Sequence, residues 1–507
     1  MSGLFGTLNT ATTGMSANQV ALQTSSHNIA NTNTDGYSRQ RVQLQTTPPY
    51  TITGVGTMGT GVKTAKITRV VDDFVRNQIR SANSQYQFYN QKSDTLGQLE
   101  ETFNEPSDNG VIKQLSTLTS SWTQLGNNPE LGTAKTLVVE NASTLGDTIR
   151  GMAKNIEQLK DDSVQSVAKN TLDFNEKVKQ LQTLNEQIYN MSSQGETPND
   201  LLDSRDSLLK DISGLADIST SIDGYGRASI QLGGQDILTK DTRATLSTVM
   251  ESTNGQSSIA FGGDTVSSME KITGDYSVGT VLISTDGTSG AKSYSQLDIA
   301  SGTIGGLQSS VNEIQKRTDE LNDFVSTITK TVNTIYTDGK SSTTGFFEMG
   351  DDPQNYALNF KVSDAVTNNP QSMSVGRTNL SGDGSKALAI AKLATVKFGQ
   401  PVDDTQLGSY DATSMTFKDS ASGSTYADDF NNIVTKNGIS KQQADNTSAA
   451  QLSLLNQLEY KNESVSGVSL NEEMSDVIKF QQGFQANARL LSVVSEMLDT
   501  LINRTGV

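Results

Sequence analysis

The chain has 507 residues, and its 39 lysines and arginines stand against 56 aspartates and glutamates, which gives a net charge of −17. A negative surface does not attract nucleic acid or anionic membranes, so we expect neither as a partner. Cysteine is absent and His27 is the single histidine, which excludes disulfides and a Cys–His catalytic pair.

The first periodic segment predicts a helix with one apolar stripe. Residues 1–34 contain no Asp, Glu, Lys or Arg, so this helix suits burial among neighbours and lacks the positive region of a conventional signal peptide. No stretch of the chain approaches the roughly 20 apolar residues that a transmembrane helix needs. Alternating steps of four and three residues, the spacing of a coiled-coil seam, relate Leu4, Leu8, Ala11, Met15, Asn18, Leu22, Ser25 and Ile29.

A series of interior helices follows, and all eight prolines lie outside their periodic stretches. The longest predicted helix runs between Pro129 and Pro198, and a second long stripe extends from Leu307 to Ile335. Several long helices with short connections imply an elongated bundle. Shorter helices are predicted around 72–103, 111–127, 200–214 and 424–464.

Two stretches break the helical pattern. From 216 to about 303 the apolar period changes to two, with turn signals at Asp223-Gly224 and Gly233-Gly234, which predicts a small β-rich domain. Residues 345–423 are rich in Gly, Asp, Asn and Ser and predict a second, mixed insertion, whose one clear helix candidate is 387–396. We expect both insertions on the outside of the bundle.

The C-terminal segment repeats the spacing of the N-terminal one. Helices of this kind are weak alone and gain stability by packing, so we predict that the two terminal helices pair. The fold class is therefore mainly α, an elongated helical bundle with paired terminal segments, an inserted β-rich domain and a smaller mixed insertion. The C-terminal stripe reads Leu470, Met474, Val477, Gln481, Phe484, Ala488, Leu491, Ser495, Leu498 and Ile502.

This pattern predicts four domains. Residues 1–45 and 465–507 would form the terminal coiled coil, and the β-rich and mixed insertions would span 216–303 and 345–423. The remaining segments, 46–215, 304–344 and 424–464, would form the bundle.

Catalytic signatures are poor. A Ser–His–Asp triad would have to use His27, which lies in the first helix beside the stripe, and there is no H-E-x-x-H, P-loop or dinucleotide glycine motif. Carboxylates are plentiful enough for a glycosidase, but the β-rich segment has few aromatics to stack on sugar. Asp351-Asp352 and the loop at Asp383 do not match a calcium-binding loop. We predict no catalytic residue, no metal site and no cofactor.

The run after the first stripe carries the strongest local signal. Residues 26–40 read Ser-His-Asn-Ile-Ala-Asn-Thr-Asn-Thr-Asp-Gly-Tyr-Ser-Arg-Gln. This run resembles the N-terminal signature of bacterial flagellar axial proteins, S-x-N-I-A-N-x-x-T-x-G-Y, and its Tyr-Ser-Arg-Gln extension is typical of the first hook-associated protein (FlgK) family. Asp35 stands where proline is common, and His27 where asparagine is common.

The C-terminal motif is more specific. Residues 466–474 read Ser-Gly-Val-Ser-Leu-Asn-Glu-Glu-Met and resemble that family's S-G-V-x-L-D-E-E-M, with Asn471 in place of the usual aspartate. Residues 480–489 and 496–502 continue the likeness. The clear matches cover roughly residues 1–45 and 463–507, in the order the family requires, and the inserted segments show nothing that can be matched.

The resemblance implies a structural protein of the bacterial flagellum at the hook–filament junction, exported to the cell exterior by the flagellar type III route without a cleaved signal. Paired terminal helices would form an inner tube, the bundle a surrounding layer and the insertions the outer surface. The implied partners are further copies of the chain in a ring or short helical tube, the hook protein, the next hook-associated protein and an export chaperone on the C-terminal helix.

The motif residues allow two interpretations each. Asn28 and Asn31 either end the first helix or make contacts, and Arg39 and Arg41 either pair with a neighbouring subunit's carboxylates or are solvated. Gly36 offers the positive φ that a turn needs. The residues predicted to carry assembly are Leu4, Leu8, Ala11, Met15, Leu22, Asn28, Ile29, Asn31, Gly36, Tyr37, Arg39, Leu470, Met474, Val477, Phe484, Ala488, Leu491, Leu498 and Ile502.

Three other functions compete with this one. The first is another axial subunit, such as a hook or distal-rod protein. The second is a secreted adhesin or glycan-binding protein that uses the inserted domains, and the third is an enzyme housed in an insertion.

Overall fold

A computed structural model describes residues 2–52, 56–253, 255–260, 269–286, 292–339, 344–378 and 380–504. Within these residues long helices dominate, and their bounds lie within a few residues of those predicted. The helices are α1 (Ser2–Ala30), α2 (Asp73–Phe103), α3 (Val111–Asn127), α4 (Gly132–Ser192), α5 (Asn199–Leu215), α6 (Gly302–Thr337), α7 (Tyr356–Asn359), α8 (Asp364–Asn368), α9 (Ser385–Lys392), α10 (Asp404–Leu407), α11 (Tyr426–Ser466) and α12 (Leu470–Asp499).

The strands pair into antiparallel sheets. β1 pairs with β4, β2 with β3, and β13 with β14, while the larger sheets have the orders β5-β6-β7 and β10-β9-β8-β11-β12. The strands are β1 (Gln40–Thr46), β2 (Tyr50–Ile52), β3 (Gly56–Met58), β4 (Val62–Arg69), β5 (Ile218–Ile222), β6 (Ala228–Leu232), β7 (Gln235–Leu238), β8 (Thr245–Thr253), β9 (Gln256–Ala260), β10 (Met269–Thr273), β11 (Val281–Asp286), β12 (Lys292–Gln296), β13 (Phe347–Glu348) and β14 (Lys361–Val362).

Helix starts follow from capping side chains. The Asp72 carboxylate accepts hydrogen bonds from the backbone N–H groups of Phe74 and Val75 at the start of α2. The Thr425 hydroxyl accepts one from Asp428 N–H at the start of α11. The 61 residues of α4 make a rod of about 90 Å, so this helix alone sets the length of the bundle.

The first hydrophobic core joins the N-terminal half of α4 to α3, α6, α9 and the start of α11. Aromatic rings fill it: Trp122 and Phe346 have ring centroids 5.0 Å apart, and Phe346 and Phe347 4.8 Å apart. Because Phe346, Phe347 and Phe360 belong to this shared core, residues 344–423 are part of the bundle. The prediction of a separate insertion over 345–423 is therefore corrected.

The second core lies at the other end of α4. There the C-terminal half of α4, α5 and the start of α6 pack against β5, β6, β7 and the inner strands of the larger sheet. The strands of the β-rich segment thus rest on the helices through this core, while the larger sheet adds a small core of its own from Val249, Ile259, Ile272 and Leu282.

Residues 40–69 form a two-stranded ribbon, β1 and β4 with β2 and β3 at its tip. The predicted bundle, which included 46–69, is corrected here, because the described residues of this range belong to the ribbon. The ribbon packs on α1, and α1 packs on α12, so the terminal helices and the ribbon form one unit. In the part of the chain that the structure describes, no helix is long and apolar enough to cross a membrane.

Candidate assembly interface

The two terminal helices lie side by side and antiparallel. A Cβ built on Gly14 would lie 2.9 Å from Asn487 Oδ1, and one built on Gly483 would lie 2.7 Å from Asn18 Oδ1. Each asparagine also donates from Nδ2 to the glycine carbonyl one turn earlier in its own helix, at 2.7 Å for Asn18 and 2.8 Å for Asn487. This reciprocal contact brings the two backbones close together and fixes their register.

The centre of the α1 seam consists of small and polar side chains. Ala11, Ala17, Ala21, Ser25 and Asn28 are buried. The larger residues that the sequence analysis placed in the seam flank this line and are half-buried. They are Leu4, Leu8, Met15, Leu22 and Ile29.

The α12 seam differs from the predicted stripe at alternate positions. Its buried or half-buried positions include Glu473, Val477, Phe480, Phe484, Asn487, Leu491, Val494 and Leu498. The predicted Val477, Phe484, Ala488, Leu491 and Leu498 are half-buried. Leu470, Met474 and Ile502 are 47%, 56% and 64% exposed, so their placement in the intramolecular seam is corrected.

At the end of α1, Asn28 holds the chain that follows. Its Nδ2 donates to Gln40 O at 2.9 Å, and its Oδ1 accepts from Gln40 N–H at 3.0 Å and from the Tyr37 hydroxyl at 2.8 Å. Asn31 instead ends the helix, because its Nδ2 donates to His27 O at 3.0 Å. Asn28 thus makes contacts with the following chain, whereas Asn31 ends the first helix.

His27 belongs to the same network. Since the Tyr37 hydroxyl proton goes to Asn28, His27 Nδ1 at 3.0 Å from that hydroxyl must be the donor, and Nε2 faces Asn31 Nδ2 at 3.4 Å. Among the described residues no carboxylate reaches either ring nitrogen.

Burial and the nearby Asp200, Asp203 and Glu473 carboxylates raise the pKa of Tyr37. Gly36 before it has a φ of +77°, as the turn requires.

Ser38 and Arg39 connect this loop to two further elements. Ser38 N–H donates to Asp203 Oδ2 at 3.0 Å and its hydroxyl to Asp203 Oδ1 at 2.5 Å, which ties the loop to α5. Arg39 N–H donates to Ser466 O at 2.8 Å. Its guanidinium contacts Glu472 Oε2 and Glu473 Oε1, both at 2.7 Å. Arg39 therefore pairs within its own chain rather than being simply solvated, and its contact with a neighbouring subunit stays a prediction.

The contact with Arg39 stabilises the fold because the Glu473 carboxylate that it neutralises is buried. The Glu473 side chain is only 2% exposed, and a buried carboxylate without a partner is strongly unfavourable. Burial alone would lower the pKa of Arg39, but Glu473 and Glu472 outweigh that effect and raise it. The N-terminal and C-terminal sequence motifs thus meet in one ion pair.

A buried charge cluster anchors this unit to the bundle. Arg69 Nη1 lies 2.6 Å from Asp203 Oδ1 and 2.9 Å from Asp206 Oδ2. Arg76 and Arg205 also pair with Asp206. Burial raises the pKa of Asp206, but Arg205, Arg69 and Arg76 more than offset this and hold it below its usual range. The cluster joins β4, α2 and α5.

Several residues of this interface were missed by sequence reasoning. Gly14, Gly483 and Asn487 carry the close helix contact, and Glu473 and Ser38 carry the buried polar contacts. A glycine four residues before an asparagine in each terminal helix was the signal that could have found the first group. The described residues contain no group of three metal-ligating side chains.

Comparison with known proteins agrees with this geometry. The family model "Flagella basal body rod protein" matches residues 8–37, and "Flagellar basal body rod FlgEFG protein C-terminal" matches residues 462–504. These matches cover both halves of the terminal unit. The chain is therefore a structural protein of the flagellar axis.

The particular family follows from the middle of the chain. The model "Flagellar hook-associated protein FlgK helical domain" matches residues 96–350, half of the chain. The chain belongs to the FlgK family of flagellar hook-associated proteins, the structural proteins of the hook–filament junction. The family resemblance and the mainly α fold predicted from the sequence are thus confirmed.

Relatives extend over the whole chain. Flagellar hook-associated protein 1 of Bacillus subtilis (strain 168) is 27% identical, covering 100% of this chain and 99% of the relative. The Escherichia coli (strain K12) protein of the same name is 23% identical over 98% of this chain and 99% of its own. The flagellar hook junction protein FlgK from Burkholderia pseudomallei shares the fold, with a TM-score of 0.58 and 14% identity, over 77% of this chain and 100% of that one.

Proposed function

We propose that copies of this chain build the junction between hook and filament by packing their paired terminal helices side by side. In this arrangement the terminal pairs form an inner tube, the bundle surrounds it, and the β-rich segment lies outermost. The observation that carries the proposal is the apolar face that α12 leaves uncovered.

That face has the composition of an unfilled packing surface. Large apolar side chains lie on it in two groups, 470–478 and 490–497, with intervals of three or four residues within each group, and Phe5 on α1 is exposed as well. Burying one such side chain typically contributes about 1.5–3 kcal/mol, and contiguous apolar patches on a monomer usually mark an interaction site. The exposed large apolar residues of α12 are Leu470, Met474, Ile478, Leu490, Val493 and Met497.

The axial partners follow from the same surface. The terminal regions match models shared with rod proteins, which supports packing against hook protein on one side and the next hook-associated protein on the other. Nucleic acid and anionic membranes are not expected as partners, since a net charge of −17 does not attract them. The role is mechanical rather than catalytic, which fits a His27 whose ring is occupied by Tyr37 and Asn31.

Export precedes this assembly. A cysteine-free chain can pass unfolded through a secretion channel without forming disulfides, which supports export to the cell exterior without a cleaved signal. An export chaperone would cover α12, whose apolar face needs protection before neighbouring copies bury it.

Deletion of the gene in its host tests the role directly. We expect hooks without filaments and flagellin shed into the medium, both restored by the wild-type gene. Normal filaments in the deletion strain would overturn the junction role.

The role of the uncovered apolar face of α12 is tested by Met474→Glu, with Met269→Glu as the matched control. The two methionines are 56% and 53% exposed, but Met269 lies on β10 in the β-rich segment. We expect Met474→Glu to be secreted normally yet to lower the number of filaments at least tenfold, because a charge cannot be buried cheaply between helices. Equal filament numbers in the two variants would contradict the proposed packing surface.

A further inference from the structure

We propose that one face of the β1–β4 ribbon binds a carboxylate-bearing surface on a neighbouring copy of this chain. The inference rests on the proposed self-assembly and identifies a second contact beside the apolar one. The face is defined by Arg41, Lys63 and Lys66 and is called the basic face.

The ribbon has an unusual charge content for this chain. Residues 36–71 contain five cations, Arg39, Arg41, Lys63, Lys66 and Arg69, and no aspartate or glutamate. The other residues hold 39 − 5 = 34 cations against 56 acids, a net charge of −22. A surface kept soluble by charge normally mixes both signs, so a single-sign ribbon on an acidic protein indicates a partner.

Strand register gathers the cations on one side. Arg41 pairs across the ribbon with Thr68, Gln43 with Lys66, and Gln45 with Lys63. Side chains alternate along β1, so Arg41, Gln43 and Gln45 share a face, and the register shift between Gln43 and Leu44 pairs both Lys66 and Lys63 of β4 with residues of that face. The opposite face carries Val42, Val62, Thr64 and Ile67, which are half-buried, and Leu44, which is 51% exposed. The ribbon packs on α1, so most of this apolar side is covered, while the basic face is left to solvent.

The cations divide by whether they have a partner in their own chain. Arg39 and Arg69 are held by Glu472, Glu473, Asp203 and Asp206. Within the described residues, the exposed Arg41, Lys63 and Lys66 have no carboxylate in ion-pair distance. Like charges close together on one face repel each other, and an anion brought against them relieves that repulsion.

A second copy supplies the complementary charge. In the part of the chain that the structure describes, α4 exposes Glu157, Asp161, Asp162 and Asp173 with no cation in ion-pair distance. In an assembly of identical subunits, every basic face would meet such an acidic neighbour, and electrostatic complementarity would fix register and speed association.

The first test is charge reversal in the full chain, expressed in the deletion strain. The triple variant Arg41→Glu, Lys63→Glu, Lys66→Glu is compared with Lys113→Glu, Lys392→Glu, Lys397→Glu, three exposed lysines away from α4 that lack an ion pair within the described residues. Both variants change the net charge equally. We expect equal secretion of both, but at least tenfold less of the ribbon variant in isolated flagella. Equal incorporation would overturn the inference.

The second test identifies the occupant. The photo-crosslinker p-benzoylphenylalanine replaces Gln43, which pairs with Lys66 in the middle of the basic face, and intact flagella are irradiated. Cross-linking to a second copy of the chain is the expected result. Cross-linking to another protein or to a polysaccharide, or no cross-link in assembled flagella, would overturn the inference. If wild-type protein is absent from flagella, the proposed function itself fails, and the two failures are thereby distinguished.

Discussion

Three consecutive residues, Tyr37, Ser38 and Arg39, each bind a different element. Tyr37 contacts α1 through Asn28, Ser38 contacts α5 through Asp203, and Arg39 contacts α12 through Glu473. Successive side chains of an extended segment point in different directions, so one short loop can hold three helices. This explains in physical terms why the motif carries Tyr-Ser-Arg after the helix.

Arg39→Gln should loosen the start of α12. Removing the guanidinium leaves Glu473 buried without a cation, at a cost of about 2 kcal/mol given that Arg39 is partly exposed. Amide hydrogen exchange near Glu473 should accelerate roughly 30-fold. Adding Glu473→Gln removes the orphaned charge and should restore most of the protection. Unchanged exchange in the single variant would show that the ion pair does not hold α12.

Asp429 makes the bundle less stable at neutral pH. Burial raises its pKa to about 6, the Ser424 hydroxyl lowers it, and Glu320 adds to the rise. Because the folded chain binds this proton more tightly than the unfolded chain, whose value is 3.8, the free energy of unfolding falls as pH rises from about 4 to about 6. Asp429→Asn should gain about 1–2 kcal/mol at pH 7, allowing for solvent screening.

The control for Asp429→Asn is the pH dependence of the difference in Tm between the variant and the wild type. Thermal unfolding should show a higher Tm than wild type at pH 7 and the same Tm at pH 4, where Asp429 is protonated. A constant difference across this range would refute the titration.

Sequence reasoning located these residues better than it assigned their roles. The motif pointed to Asn28, Asn31 and Arg39, but both interpretations stayed open because their partners lie in space rather than along the chain. Glu473, 434 residues from Arg39, gives no sign in the sequence that it is buried. The intersubunit role of the residues predicted to carry assembly remains a prediction.

At the scale of elements, the terminal helices meet through glycine, alanine and asparagine. Helix separation depends on the side chains at the contact, and these small residues allow a close approach. The larger Leu4, Leu8, Met15 and Met474 then remain at the edges. An apolar heptad rule assumes the largest residues at the centre, which is why the predicted α12 stripe was displaced by one residue at alternate positions.

Gly483→Ala should weaken the terminal pair. The new Cβ would lie 2.7 Å from Asn18 Oδ1, so Asn18 must rotate and lose its bond to Gly14 O. Gly3→Ala, in α1 with no atom within 4 Å, is the control and should stabilise by up to about 1 kcal/mol. The rate of hydrogen exchange of the α1 backbone amides measures the effect of both substitutions. Adding Asn18→Ala should rescue Gly483→Ala, and failure of that rescue would argue against the close contact.

Two elements escaped prediction for different reasons. The ribbon is short, rich in threonine and glycine and interrupted by an irregularity between Gln43 and Leu44, so its alternation is weak. In the described part of 344–423 the strands have two residues each and the longest helix, α9, has eight, and the aromatic residues gave no period that could place them in the bundle core. The long helices were predictable because their apolar stripes and the prolines between them are local signals.

On the scale of the whole molecule, the charge cluster at Asp203 and Asp206 connects two units of different character. On one side lie the terminal helices and the ribbon, with an exposed apolar face and a basic face. On the other lies a bundle with two hydrophobic cores along α4. The first unit is suited to contact with neighbours, and the second to carrying the outer β sheets.

Cryo-electron microscopy of the hook–filament junction in intact flagella would show directly how the terminal helices pack. We expect an inner layer of α1–α12 pairs, with Leu470, Met474 and Ile478 packed against a neighbouring copy. Terminal helices that lie outside the inner layer, or that leave this face open to solvent, would contradict the proposed packing.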